Sequence, residues 1–128
     1  MSSALEVGKK LADLCRRNKW MEAVDSLYSP DIVSIEAQPL TQMPQRTEGI
    51  TKVREKTVWW EQNHEVHSSE VGGPWPHGDR FIVTMKIDVT SKTGPMAGKR
   101  ATFEEACLYT VKNGKIVQEE FFFPPMGG

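Results

Sequence analysis

The chain is expected to fold as an α+β domain, with three N-terminal helices packed on the concave face of a strongly curved, mostly antiparallel sheet, a cone-shaped α+β barrel. Helical periodicity dominates residues 4–63 and gives way to period-two alternation from Glu65 onward. Helices followed by a run of strands argue for segregated layers. Asn113-Gly114 lies between two long alternating stretches. Such a pair is the strongest short-range signal for a hairpin, because both central residues of a type I′ turn need positive φ. With 128 residues and no repeat, low-complexity segment or linker, the chain reads as a single domain over residues 1–128, long enough to bury a core.

Leu5, Leu11, Leu14 and Cys15 recur at helical spacing over residues 4–17, with lysines, arginines and Asp13 opposite. Asn18 suits a C-terminal cap, since asparagine tolerates the left-handed conformation. A second helix over about Lys19–Ser29 offers Trp20, Ala23, Val24, Leu27 and Tyr28 to the core, and Pro30 stops it. Asp31–Ala37 alternates as a short strand, with Ile32, Ser34 and Glu36 on one face and Val33 and Ile35 on the other. Residues 38–47 read as a loop whose Leu40 and Met43 are apolar enough to fold over something. A third helix starts at Thr47 or Glu48 and runs to about Asn63, with Ile50, Val53, Thr57, Trp60 and His64 as its stripe.

Glu65–Val71 reads as a strand, and the run from Gly72 to Gly78, rich in glycine and proline, as a turn. Asp79–Ser91 is a long strand with Phe81, Val83, Met85, Ile87 and Val89 on one face. After a turn over Lys92–Gly98 comes the hairpin of Lys99–Phe123. One face of its first strand carries Phe103, Glu105, Cys107, Tyr109 and Val111. Beyond it, the Pro-Pro-Met-Gly-Gly tail is expected to fray.

The net charge of -1 and the lack of a basic cluster argue against a nucleic-acid partner. No run approaches the length of a membrane span, and the first residues lack a secretory layout. Cys15 and Cys107 both fall on apolar stripes, so they read as buried thiols in a reducing, cytoplasmic setting. No phosphate loop, Ser-His-Asp arrangement or cofactor motif is present. His64 and His67 are separated by the helix-to-strand change and lack a third ligand, so a metal site is not expected.

Two carboxylates stand out. Glu105 sits in a row of apolar and aromatic side chains, where burial would raise its pKa toward a value useful in proton transfer. Glu36 ends a short strand beside a loop, a place where catalytic groups are often held on a rigid scaffold. Across one cavity the two could serve as an acid and a base. Tyr28, Trp60, His64, Met85, Cys107, Tyr109, Phe121 and Phe123 are candidates to line a cavity for a small apolar or aromatic molecule. Filled by these same side chains, the cone would instead be a non-catalytic binding or dimerisation module.

The stretch from Ala23 to Asp31 leading into the strand Ile32–Glu36, the Glu48-Gly-Ile50 helix start, and the Leu108–Val117 hairpin together resemble the nuclear transport factor 2-like superfamily, and specifically its SnoaL-like branch. The resemblance implies a pocketed cone whose relatives include ketosteroid isomerases, polyketide cyclases, epoxide hydrolases and dehydratases, and a homodimer through the outer sheet face. Here that face would carry Thr84, Lys86, Thr102, Glu104, Leu108 and Thr110. In the isomerase pattern Glu36 takes the place of the general base. Leu11 or Ala12 stands where that pattern has a tyrosine oxyanion donor, and Cys107 stands at or near the place of its second acid. Both departures argue against steroid isomerisation by that pattern.

Overall fold

The structure, a computed structural model, describes residues 3–38 and 44–124. The elements run α1 (Ala4–Arg16), α2 (Trp20–Leu27), β1 (Tyr28–Ile35), β2 (Arg46–Glu48), α3 (Ile50–Asn63), β3 (His64–His77), β4 (Arg80–Ser91), β5 (Arg100–Lys112) and β6 (Lys115–Phe122). The expected α+β architecture is observed. Leu40, Met43 and the tail beyond Pro124 lie outside the described residues.

The Ser3 hydroxyl caps α1 by accepting from the Glu6 N–H. At its other end Asn18 takes φ 58. The amides of Lys19 and Asn18 then donate to Leu14 and Cys15 carbonyls at 2.9 and 3.0 Å, the paired bonds of a Schellman motif. Ala4, Val7, Leu11, Leu14 and Cys15 are buried, whereas Leu5, expected on this stripe, is exposed. The second helix stops at Leu27, two residues before the expected end. The rule that drives the residue before a proline out of the α region bars Ser29 from the helix; the chain is extended from Tyr28 and carries Pro30 into β1. Pro30 lies where the β1–β6 register is interrupted, between the Tyr28↔Ile116 and Val33↔Gln118 pairs, so its missing N–H breaks no ladder bond.

Part of the expected 38–47 loop is instead β2, which pairs with β1 through Ile35↔Arg46 and Val33↔Glu48. Gly49 at φ 90 precedes α3, so the helix begins at Ile50 and not at Thr47 or Glu48. The glycine-rich segment expected as a turn is likewise strand. β3 runs on to His77 with irregular register at Val66/Ser68 and Gly72/Trp75, and the chain turns at Gly78-Asp79. Gly73 has φ 95, and a Cβ there would sit 2.7 Å from the Ile82 carbonyl. The glycines and prolines therefore serve a bulged, closely approached strand and not a reversal.

The sheet order is β2-β1-β6-β5-β4-β3. β3 to β6 form the expected antiparallel meander, and β1 joins β6 in parallel. The sheet curls without closing. Phe81, Val83, Met85, Ile87 and Val89 of β4 are buried with Cys107, Tyr109 and Val111 of β5 against α1 and α2 residues. Cys15 and Cys107 are buried free thiols. On the outer face Trp75 lies opposite Ile82, and Ile82 opposite Leu108. Trp75, Ile82 and Phe122 are exposed. Among the described residues no helix is long and apolar enough to cross a membrane.

Candidate functional site

Cross-strand registry lays out the concave face. Opposite residues of neighbouring strands point to the same side, so Ser34, Glu119, Tyr109 and Phe81 form one row across β1, β6, β5 and β4. Phe121, Cys107 and Val83 form the next, and Glu105 with Met85 the one after. Helix α3 contributes Lys56, a turn beyond the buried Val53.

These elements assemble a polar cluster inside an apolar cone. The Lys56 ammonium donates to Glu36 at 2.8 Å and to the Ser34 hydroxyl at 2.6 Å. The side chains of the ion pair are only 12% and 10% exposed. Lys56 Nζ also lies 5.3 Å from the centroid of the Phe121 ring. Glu119, 3% exposed, accepts from the Tyr28 hydroxyl and faces the Ser34 hydroxyl. The network thus runs Glu36–Lys56–Ser34–Glu119–Tyr28 across α2–β1, α3 and β6. Among the described residues no buried side-chain nitrogen or oxygen is left without a partner, as a low-dielectric interior requires.

Glu105 completes the cluster. It is half-buried, and its carboxyl is pushed up to about 7 by burial, by the negative charges of Glu36 and Glu119, and against the opposing pull of the Cys107 thiol and Lys56. Burial also raises Glu119, with Lys56, Ser34 and Tyr28 pulling the other way. Burial raises the Cys107 thiol well above its ordinary range and pushes Cys15 up to about 12. Both are protonated and inert as nucleophiles. Burial and Glu119 hold the Tyr28 hydroxyl protonated. The cone therefore holds the Lys56–Glu36 ion pair, the Glu105 carboxyl pushed up to about 7, the raised Glu119 carboxyl, and hydroxyl donors. That set can move protons.

The structure brings Glu36, Glu105, Tyr28, Met85, Cys107, Tyr109 and Phe121 to the concave side. Tyr109 stacks on Phe81 at 5.0 Å between centroids. Trp60 and His64 lie one and two turns beyond Lys56 and form an aromatic cluster of their own. Trp60 meets Trp20 edge-on at 5.1 Å, and the His64 ring stacks on Trp60 at 4.5 Å, with Nδ1 2.8 Å from the Trp60 carbonyl. Phe123 is half-buried just past the end of β6. Arg100, on the same strand as Glu105, grips Asp88 through two hydrogen bonds of 2.9 and 2.7 Å. Among the described residues no group of three potential ligands could hold a metal ion.

Lys56, Ser34 and Glu119 were not among the expected site residues. Lys56 had a legible signal, since Val53, Lys56 and Trp60 fall at i, i+3 and i+7 on one helical face. Two surface openings flank the cone. A recess of about 610 Å³ lies at the α1–α2 elbow around Asn18, Trp20, Asp25 and Glu61. A groove of about 580 Å³ runs along Glu70, Gly72, Thr84, Lys86, Glu104, Ala106 and Phe122, and also reaches Met85 and Glu105. The first seven alternate to the outer side of their strands, so this groove belongs to the outer face and is not an entrance to the cluster. Neither opening touches Glu36, Lys56, Ser34 or Glu119.

The family model of the SnoaL-like domain matches residues 2–123. A crystal structure of a candidate SnoaL-like polyketide cyclase from Mesorhizobium loti, also described as a carbohydrate phosphatase, is 37% identical, with 95% of this chain and 100% of that one covered and a TM-score of 0.87. An NTF2-like protein of unknown function from Burkholderia pseudomallei shares the fold at 17% identity, covering 97% and 92% of the two chains, with a TM-score of 0.78. A protein with a ketosteroid isomerase-like fold from Catenulispora acidiphila, in complex with trimethylamine, shares it at 11% identity, covering 95% and 87%, with a TM-score of 0.70. No curated protein matches the chain.

Proposed function

The chain belongs to the SnoaL-like domain family, and from that premise we propose that it is a cofactor-independent isomerase, cyclase or hydrolase that acts on a small, largely apolar organic molecule by carboxylate acid–base chemistry. One observation carries the reading: Glu36 is bonded by the withdrawn Lys56 ammonium, and its charge helps to push the Glu105 carboxyl up to about 7. A carboxyl raised toward neutrality beside a second, ion-paired carboxylate supports an acid and a base in one site. Glu36 is the proton acceptor and protonated Glu105 the donor. Glu119, held by Tyr28 and Ser34, is a positioning residue. We place a second copy, in a cytoplasmic homodimer, on the outer sheet face.

The experiment is deuterium incorporation beside the carbonyl of 2-tetralone in D2O, followed by NMR, a general readout of proton abstraction and return. The native protein accelerates exchange over buffer, and Glu105→Gln slows it by about 100-fold or more, the usual worth of a positioned acid. The exchange rate falls as pH rises through about 7, where Glu105 loses its proton. A native rate equal to buffer, or an unchanged rate in Glu105→Gln, contradicts the proposal. The second reading is a non-catalytic module with a side-chain-filled cone. It is favoured by the mutual satisfaction of the polar cluster and by two openings that touch none of Glu36, Lys56, Ser34 and Glu119, and it predicts the buffer-equal result.

A further inference from the structure

Removing a proton beside a carbonyl places negative charge on the carbonyl oxygen, and stabilising that charge is commonly the largest single contribution to catalysis. The interior offers little for that purpose at the expected positions. Leu11 and Ala12 are buried apolar side chains of α1, and Cys107 presents only a thiol, a weak donor.

We propose that Lys56 is the oxyanion-binding residue of this site; this rests on the acid–base reading above. Of the sixteen lysines and arginines in the chain, Lys56 alone is withdrawn from solvent. An isolated buried ammonium is costly, and its position at the centre of the cluster explains its retention. Lys56 bonds Glu36 directly, and its charge also acts on Glu119 and Glu105.

An ammonium has three N–H donors. Two are committed to Glu36 and Ser34 among the described residues, and the group borders the Phe121 ring. A flat substrate lying along Phe121 would bring an oxygen to the third N–H. The Lys56 and Glu36 side chains keep 12% and 10% of their exposure, so the pair is not sealed from solvent.

The step balances without a co-reactant. The Glu36 carboxylate takes the proton from carbon, and the C–H electron pair becomes the enolate double bond. The carbonyl π pair moves to oxygen, where the Lys56 N–H donates to it. The Glu105 carboxylic acid then returns a proton to carbon, leaving Glu36 protonated and Glu105 ionised until solvent resets them. Lys56 remains an ammonium throughout.

The test uses 2-naphthol, whose ionised oxygen mimics an enolate, titrated by fluorescence into the full chain. Native protein should bind naphtholate more tightly than neutral naphthol. Lys56→Gln should lose about tenfold or more of the naphtholate affinity, as expected for a lost charge-assisted hydrogen bond, with neutral naphthol changed less than about twofold and Lys56→Arg retaining the preference. Should Lys56→Gln not fold, Lys56→Met combined with Glu36→Gln neutralises both members of the pair, and the same loss is expected. A naphtholate preference that survives removal of Lys56, or no naphthol binding to native protein, overturns the proposal. Tetralone exchange with a Lys56-independent naphtholate preference removes the Lys56 role alone. A Lys56-dependent preference without exchange removes the acid–base reading and leaves Lys56 as an anionic-oxygen site.

Discussion

Glu105 keeps its proton up to about 7 because burial disfavours the carboxylate and because Glu36, just past the end of β1, and Glu119 of β6 contribute like charge. The folded state therefore binds this proton more tightly than the unfolded chain does. For an acid whose folded pKa is raised, the unfolded state has lost the proton between the ordinary value of 4.5 and about 7. Stability then falls as pH climbs through that window. The shift corresponds to about 3 kcal/mol across the window, with Glu119 acting in the same direction. Glu105→Gln removes the Glu105 share, so the variant should gain on the native protein by that amount between pH 4.5 and pH 8. Urea denaturation at several pH values checks this; parallel stability curves for the two proteins would refute it. The same residue was legible in the sequence, because the alternation Phe103, Glu105, Cys107, Tyr109 placed one carboxylate on an apolar face. Lys56 was harder to see, because a lysine on a helix reads as solvated unless its i, i+3 and i+7 neighbours are weighed.

At the scale of elements, β6 shows why Glu119 escaped notice. From Ile116, a strict period of two would turn Gln118 and Glu120 inward and Glu119 outward. The register instead passes from Val111↔Ile116 to Thr110↔Gln118, so Val117 is an extra residue and the strand changes phase. Beyond the bulge Glu119 and Phe121 face the interior, and a bulge beside a site commonly re-aims a side chain in this way. Strand periodicity alone carries no mark of such an insertion. The glycine-proline segment of β3 fails for a related reason. Its residues permit a turn or an irregular strand, and pairing with β4 decides between them. The elements with strong local signals, α1 with its Asn18 cap and the Asn113-Gly114 hairpin, form where expected.

Across the whole molecule, the curled sheet separates two environments. Its concave side is apolar and encloses the one withdrawn cation with three carboxyls; its convex side mixes threonine, Lys86 and Glu104 with an apolar row. Trp75 and Ile82 of that row, 55% and 39% exposed, together with Phe122 in the neighbouring row opposite Ala106, make a patch larger than scattered surface hydrophobics. A second copy on this face should give a mass near twice 14.5 kDa in light scattering. Combined Ile82→Glu and Leu108→Glu substitutions should return the mass to one chain; a monomeric native protein would contradict the dimer.

If the fold holds Glu105 as a neutral proton donor beside the Glu36–Lys56 pair, a carbon-13 NMR titration of the glutamate side-chain carboxyls shows it, with Glu105 assigned by its loss in Glu105→Gln. The expected result is a resonance titrating near 7 that moves downward in Glu36→Gln, where a neighbouring negative charge is gone. Titration of Glu105 near the ordinary 4.5, unmoved by the Glu36 substitution, would contradict it.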